Sequence, residues 1–313
     1  MIALSMASIR AQVREGLSTL ELSALSRSAL DRPLLHPAEL LVAVPSDEGL
    51  ALGAFQRPCE VEGTRPLVRR GSGGAEALVG PGSLWLQLAL AGSSALVPCP
   101  PDRLLNRYVR PLLRAISKAG VLAHYFERDW VSGAKRPVAA IAFAHDATSG
   151  RAFVEAIVAV TTPFAVRTRA STMGKEPATL AELGAKVDVR TLAEAVLSSY
   201  RDAYAAEEGE ISREPAAAEP VLDEPPWSAV VSEAIGVIGA GRDRAGRQRV
   251  GGELMVSRDA LARLEAALQT APDPAAIGEL VDATLGAPGV ALFGIRSLRS
   301  LRDVIARATL DET

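Results

Sequence analysis

The chain has 313 residues, 48% of them apolar, with a formal net charge of −3 and a mean hydropathy of +0.16. That length leaves room for one large domain and a small one, and the apolar content excludes global disorder. The acidic balance excludes the basic surface of a nucleic-acid binder. The most apolar run, Leu84 to Val97, is too short and too often interrupted by Gln87, Gly92, Ser93 and Ser94 to span a membrane.

The segment Met1 to Arg14 has no sustained apolar stretch of the signal-peptide kind. A helix is expected over Ser8 to Ser28, with Ile9, Val13, Leu17, Leu20 and Ala24 at helical spacing. Strands are expected at Leu40–Val44, Leu50–Phe55, Arg65–Arg69 and Ser83–Ala91. Pro101–Ala119 carries Leu105, Tyr108, Leu112 and Ile116 on one helical face, with Pro111 disturbing it and Gly120 ending it. Strands at Val121–Glu127, Pro137–Ala144 and Ala152–Val160 follow, the last two joined by the turn His145–Gly150. Thr179–Glu182 and Thr191–Glu194 read as two capping boxes that start a short and a longer helix.

From Glu207 to Pro226 the composition shifts to Glu, Ala and Pro, the best boundary in the chain. Beyond it, helices are expected after Ser257, Asp273-Pro274 and Ser297. Ser232–Ile238 reads as helix or strand. Gly239, Gly241 and Gly246 are spaced GxGxxxxG, not as a dinucleotide-binding turn, and read as a loop made basic by Arg242, Arg244, Arg247 and Arg249. Cys59 and Cys99 form no CxxC, and His36, His124 and His145 show no metal spacing. No bound metal or redox cofactor is therefore expected, and a reducing, cytoplasmic location fits.

Val68-Arg69-Arg70-Gly71-Ser72-Gly73-Gly74-Ala75 carries the strongest chemical signal. Glycines at positive φ let backbone N–H groups converge on a phosphate or carboxylate, and arginine forks suit the same anions. From these residues alone the turn is either an anion site or a solvated hairpin.

Taken with Gly53-Ala54-Phe55-Gln56, Gly80-Pro81-Gly82-Ser83-Leu84 and Asn106 to Leu113, the turn resembles motifs of the lipoate–protein ligase and octanoyltransferase family, relatives of biotin–protein ligase. The resemblance covers Leu40 to Ala203. It implies an α+β fold: a mixed β-sheet with packed helices over residues 1–206, a linker over 207–226, and a small C-terminal α/β domain over 227–313. It further implies that Gln56, Arg69, Arg70, Ser72, Gly73, Gly74, Gly80 and Gly82 bind the acid and its adenylate. Implied partners are ATP with magnesium, lipoate or octanoate, and a lipoyl-type carrier domain, with neither nucleic acid nor membrane. The expected activity is activation of lipoate or a related medium-chain acid and its transfer to a carrier lysine.

The chain also departs from the family pattern. Ala75 replaces a glycine and Val79 a histidine, Ser149-Gly150 stands for a histidine-glycine turn, and no cysteine matches the octanoyltransferase nucleophile. The family's catalytic lysine falls on Pro137, which has no ammonium to offer an oxyanion. Lys135, two residues earlier and about 6.6 Å further along the same strand face, is the candidate catalytic replacement; otherwise it is a solvated lysine in the turn Ser132–Lys135. The alternatives are a non-catalytic homologue that binds an acyl group or lipoyl domain, and a biotin-type ligase, which the Asn106–Leu113 segment disfavours.

Overall fold

The computed structural model describes residues 9–60, 65–165, 171–205, 207–211, 215, 221, 223–270 and 273–310. The larger part runs β1 (Ile9–Leu17), α1 (Thr19–Arg27), β2 (Ala38–Pro45), β3 (Gly49–Leu52), β4 (Leu67–Arg69), β5 (Ala77–Val79) and β6 (Ser83–Leu90). It continues with α2 (Leu104–Tyr108), α3 (Arg110–Lys118), β7 (Ala123–His124), β8 (Trp130–Gly133), β9 (Arg136–His145), β10 (Ala152–Ala159), α4 (Val189–Tyr204) and β11 (Glu207–Glu208). The C-terminal part holds β12 (Ala229–Glu233), β13 (Gly236–Arg242), β14 (Gln248–Gly252), β15 (Met255–Val256), α5 (Arg258–Leu268), α6 (Pro274–Leu285), β16 (Leu292–Phe293) and α7 (Leu298–Leu310).

An eight-stranded mixed sheet in the order β11-β1-β2-β6-β10-β9-β8-β7 is the frame. β1 is parallel to β2 and β11, and the other neighbours are antiparallel. Alternation along each strand divides its side chains between two cores. Leu40, Val42, Leu86, Leu88, Val154 and Ala156 meet Tyr108, Leu112, Val196 and Tyr200 of α2–α4. Leu41, Ala43, Trp85, Ile157 and Ala159 face the other way, onto Leu22 and Leu25 of α1 and onto Ala51, Val68 and Val79. Those last residues belong to a small sheet ordered β4-β3-β5. The arginine–glycine turn lies between β4 and β5, so it is carried on this second face.

Several local expectations are corrected. Ser8–Ser28 is not one helix: Ile9–Leu17 is a strand, and the helix starts at Thr19 behind a capping box of Ser18 and Glu21. A spacing of four keeps residues on one face of a strand as well as of a helix, so Ile9, Val13 and Leu17 did not discriminate. Val121–Glu127 keeps only Ala123–His124 as strand. Thr179–Glu182 closes a turn, with the Glu182 amide on Thr179 Oγ1, rather than starting a helix. The longer helix is capped by Asp188, which accepts the Thr191 amide, and not by Thr191. Pro111 begins α3 in the first turn, where its missing N–H costs nothing.

The described residues of the Glu/Ala/Pro stretch are anchored, not free. Glu207 and Glu208 pair with Arg10 and Ala11, and Ile211 is buried in the second core. The Arg57 guanidinium, fully buried, donates to the carbonyls of Pro225, Pro226 and Arg242. It also lies 3.5 Å from the Trp227 ring centroid, a desolvated cation–π contact worth up to about 2 kcal/mol.

Beyond Trp227, β12, β13 and β14 form an antiparallel sheet. Gly239 lets Trp227 lie flat on β13, since a Cβ there would meet the indole at 2.2 Å. Gly246 is in the β13–β14 turn, and the surrounding arginines are paired: Arg247 and Arg249 with Asp243, Arg249 with Glu265, Arg244 with Asp223. Against the cost of partial burial, hydrogen bonds from the Arg247 amide, the Arg249 and Arg247 side chains and the Ala245 amide hold the Asp243 carboxyl down at about 2. The C-terminal part sits against the large sheet and the β3–β4 loop at fixed points. His145 Nδ1 is 2.8 Å from Ser257 Oγ, Asp259 accepts the amides of Ala147 and Thr148, and the Gly252 amide donates to Phe55 O.

Candidate functional site

The turn Arg70–Ala75 is built from below. Buried Glu155 on β10 accepts Trp85 Nε1 at 2.9 Å with one oxygen and the Ser72 amide at 3.3 Å with the other. Arg70, only 3% exposed, donates from Nη2 to the carbonyls of Gly73 and Ala75, both at 2.7 Å. The Gly73 amide donates to Phe143 O at 3.1 Å and the Gly74 amide to Leu254 O at 3.0 Å. The glycines are needed for close approach: a Cβ on Gly73 would lie 2.2 Å from Leu254 O, and Gly74 has φ +81°. The amides expected to converge on an anion are thus already engaged, by a carboxylate and two backbone carbonyls.

Gln56 and Arg69 brace the neighbouring turn. Gln56 Oε1 accepts the Gly53 amide at 2.9 Å, and its Nε2 donates to Glu76 at 2.8 Å. Arg69 Nη1 donates to the carbonyls of Gly53, Ala54 and Gln56, and Nη2 is 3.6 Å from Glu224. Both side chains border a cavity of about 510 Å³ between this turn and the C-terminal part, with Phe55, Trp227 and Arg249 on its walls. Gly80 and Gly82 lie in the β5–β6 turn, where Gly82 O accepts the amides of Val160, Thr161 and Thr162; neither is on the wall of this cavity.

Arg70 and Ala75 border a second, enclosed cavity together with Asp129 and Trp130 at β8, Ala140 and Ile141 on β9, and Phe164, Ala165, Ser171 and Thr172. This is where the motif turn meets the strand that bears Pro137. Its volume is about 10 Å³, room for about one water. The hydroxyls of Ser72 and Ser171, both buried, have no hydrogen-bond partner among the described residues.

Lys135 does not join this cluster. Ala134 and Lys135 are the two exposed residues of the β8–β9 hairpin, with φ of 46° and 67°, as a primed two-residue turn requires. Six residue-to-residue steps of strand, about 20 Å at roughly 3.3 Å each, separate Lys135 from Ile141. The expectation of an extended approach along the strand face fails because the chain reverses at Lys135 itself. Glu155 and the Ser171–Thr172 segment were missed in the sequence. Glu155 left one signal, an acid inside an otherwise apolar strand. Among the described residues no group of His, Cys, Asp and Glu is arranged to hold a metal ion. No helix among them is long and apolar enough to cross a membrane.

No protein-family model matches the chain, and no curated protein matches it. Solved structures do. LipL1 of P. falciparum in complex with lipoate is similar over 95% of this chain and 98% of its own, with TM-score 0.58 at 9% identity. The fold is that of a lipoate/biotin-ligase-like catalytic domain. A bipartite lipoate protein ligase of Thermoplasma acidophilum, described with its E2 lipoyl domain, covers 65% of this chain and 86% of its own, with TM-score 0.50 at 14% identity. Lipoate-protein ligase A bound with ATP covers 65% and 88%, with the same TM-score and identity. The likeness to LipL1 extends over both the eight-stranded sheet and the C-terminal elements of this fold.

Proposed function

We propose that this chain is a lipoate–protein-ligase-like acyltransferase that activates lipoate or a related medium-chain acid with ATP and passes the acyl group to a lysine of a lipoyl-type carrier domain. The observation that carries this reading is the convergence of Arg70 and Ala75 with Ala140 and Ile141 on one enclosed, partly polar cavity. Structures of this fold have been described with lipoate, with ATP and with an E2 lipoyl domain. In this reading Arg70 and the Ser72–Gly74 turn flank the acid, and Gln56 and Arg69 hold the neighbouring Gly53–Gln56 turn in shape. Gly80 and Gly82 serve through the neighbouring turn. The acyl chain enters only if the walls part, because the enclosed volume holds one water and not a chain of eight carbons. An acid oxygen at the turn would likewise replace one of the carbonyls that now hold the glycine amides.

A second reading is a homologue that binds an acyl group or lipoyl domain without catalysis. Pro137 at the strand position of the family lysine favours it. The two are separated by incubating the chain with ATP, magnesium, lipoate or octanoate and an unmodified lipoyl domain, and weighing the domain by mass spectrometry. An acyl adduct on the carrier lysine that requires ATP is the expected result. No adduct with any acid, alongside acid-dependent protection from thermal unfolding, would decide for the binding homologue.

A further inference from the structure

We propose that Lys175 supplies the cation that β9 lacks at Pro137. The inference rests on the adenylating reading above. Of the chain's lysines, Lys118 lies at the end of α3 on the far face, 3.8 Å from Asp202, Lys186 is exposed, and Lys135 is at a hairpin tip. Lys175 is different. The residues that follow it are clamped to the start of β9: Arg136 donates to the carbonyls of Glu176 and Pro177 at 3.2 and 2.7 Å, and the Ala178 amide donates to Pro137 O at 2.8 Å. The residues that precede it, Ser171 and Thr172, are in the wall of the cavity that holds Arg70.

Between them the chain turns sharply. Met173 and Gly174 have φ of 57° and 71°, and the Lys175 amide closes on Thr172 O at 3.1 Å. The turn lays the half-buried Lys175 over the wall residue Trp130, its Nζ 5.6 Å from the ring centroid. Trp130 is fixed in turn by its Nε1 donating to Ser171 O at 3.0 Å. No carboxylate among the described residues forms an ion pair with Lys175. An ammonium therefore stands over Trp130, a wall residue of the cavity, on a segment tied to Pro137.

The chemistry to be served has two steps. A carboxylate oxygen of the acid bonds to the α-phosphorus of ATP, and the bond from that phosphorus to pyrophosphate breaks. The neutral amine of the carrier lysine then bonds to the acyl carbon, the bond to AMP breaks, and the amine's proton passes to solvent. Both transition states gather negative charge on phosphate or carbonyl oxygens, where a positioned donor is worth roughly 10²–10³ in rate.

The test is ATP–pyrophosphate exchange with lipoate and octanoate, using wild type, Lys175→Ala, Lys175→Arg and Lys135→Ala, with thermal midpoints measured on each. Lys175→Ala is expected to lose roughly 10²–10³ in exchange rate at an unchanged midpoint, Lys175→Arg to recover part of it, and Lys135→Ala to match wild type. Full exchange in Lys175→Ala overturns the proposal. If wild type itself shows no exchange with any acid, the ligase reading fails, and Lys175 is judged by binding. An unreactive octanoyl-sulfamoyl adenosine should then protect wild type from thermal unfolding and not Lys175→Ala. Equal protection of both, or of neither, overturns the assignment.

Discussion

Arg70 serves the turn before it can serve a ligand. Its guanidinium is buried and bridges two carbonyls of the same turn, 2.7 Å each. Hydrogen bonds from a charged donor contribute about 1.5–3 kcal/mol apiece, and removing the donor leaves buried acceptors unmatched. Arg70→Ala should lower the unfolding free energy of the ligand-free chain by about 3 kcal/mol, read from urea melts. Arg70→Lys should restore only part, because an ammonium lacks the planar fork that spans both carbonyls. Unchanged stability in Arg70→Ala would show the bridge to be idle. The acid-binding assay must therefore be read against folded fraction, variant by variant.

At the level of elements, the glycine turn is a contact between two halves of the chain. A Cβ at Gly73 would collide with Leu254 O at 2.2 Å, with Met255 Cα also close. A backbone carbonyl cannot swing aside as a flexible side chain can. Gly73→Ala should push β15 off the turn, speeding amide hydrogen exchange around Leu254–Val256 while β10 and β6 keep their protection; uniform protection across both would refute that seat. This contact also shows why only part of the fold was legible. β2, β6, β9 and β10 are largely apolar runs, each with few polar residues, and they stand close to where the residues put them. β1 was hidden by a four-residue spacing common to strand and helix, and β5 and β8 are too short to announce themselves without their partners. The arginine–glycine turn was visible as a motif. What engages its amides was not, since Glu155, Phe143 and Leu254 lie from 70 to about 180 residues downstream and only the fold brings them near.

Across the whole molecule, the large sheet and the C-terminal elements meet through a buried histidine. His145 is 1% exposed and bonds Ser257, which in turn accepts the Ala291 amide at 2.8 Å. Burial holds its imidazole below the ordinary 6.5, against a smaller opposing pull from Asp259 and Asp146. The neutral ring is thus favoured when folded. Above 6.5 that preference is fully satisfied; as pH falls from 6.5 toward the lowered folded value, the unfolded chain takes up the proton first and stability drops. Asp259, held well below the usual carboxylate range because hydrogen bonds from Thr148, Ala147 and Arg263 outweigh its burial, stays ionised throughout that window. Wild type should lose more thermal stability between pH 7.5 and 5 than His145→Asn does, and parallel curves would remove the histidine from the account. Another link between the two halves, Gly74 N–H on Leu254 O, carries a further consequence. One N–H has one proton to give. A ligand oxygen that claims it evicts the carbonyl, so the bound molecule and the C-terminal elements compete for a single donor. Reciprocity then requires that such a ligand loosens those elements by the same factor by which their docking weakens the ligand.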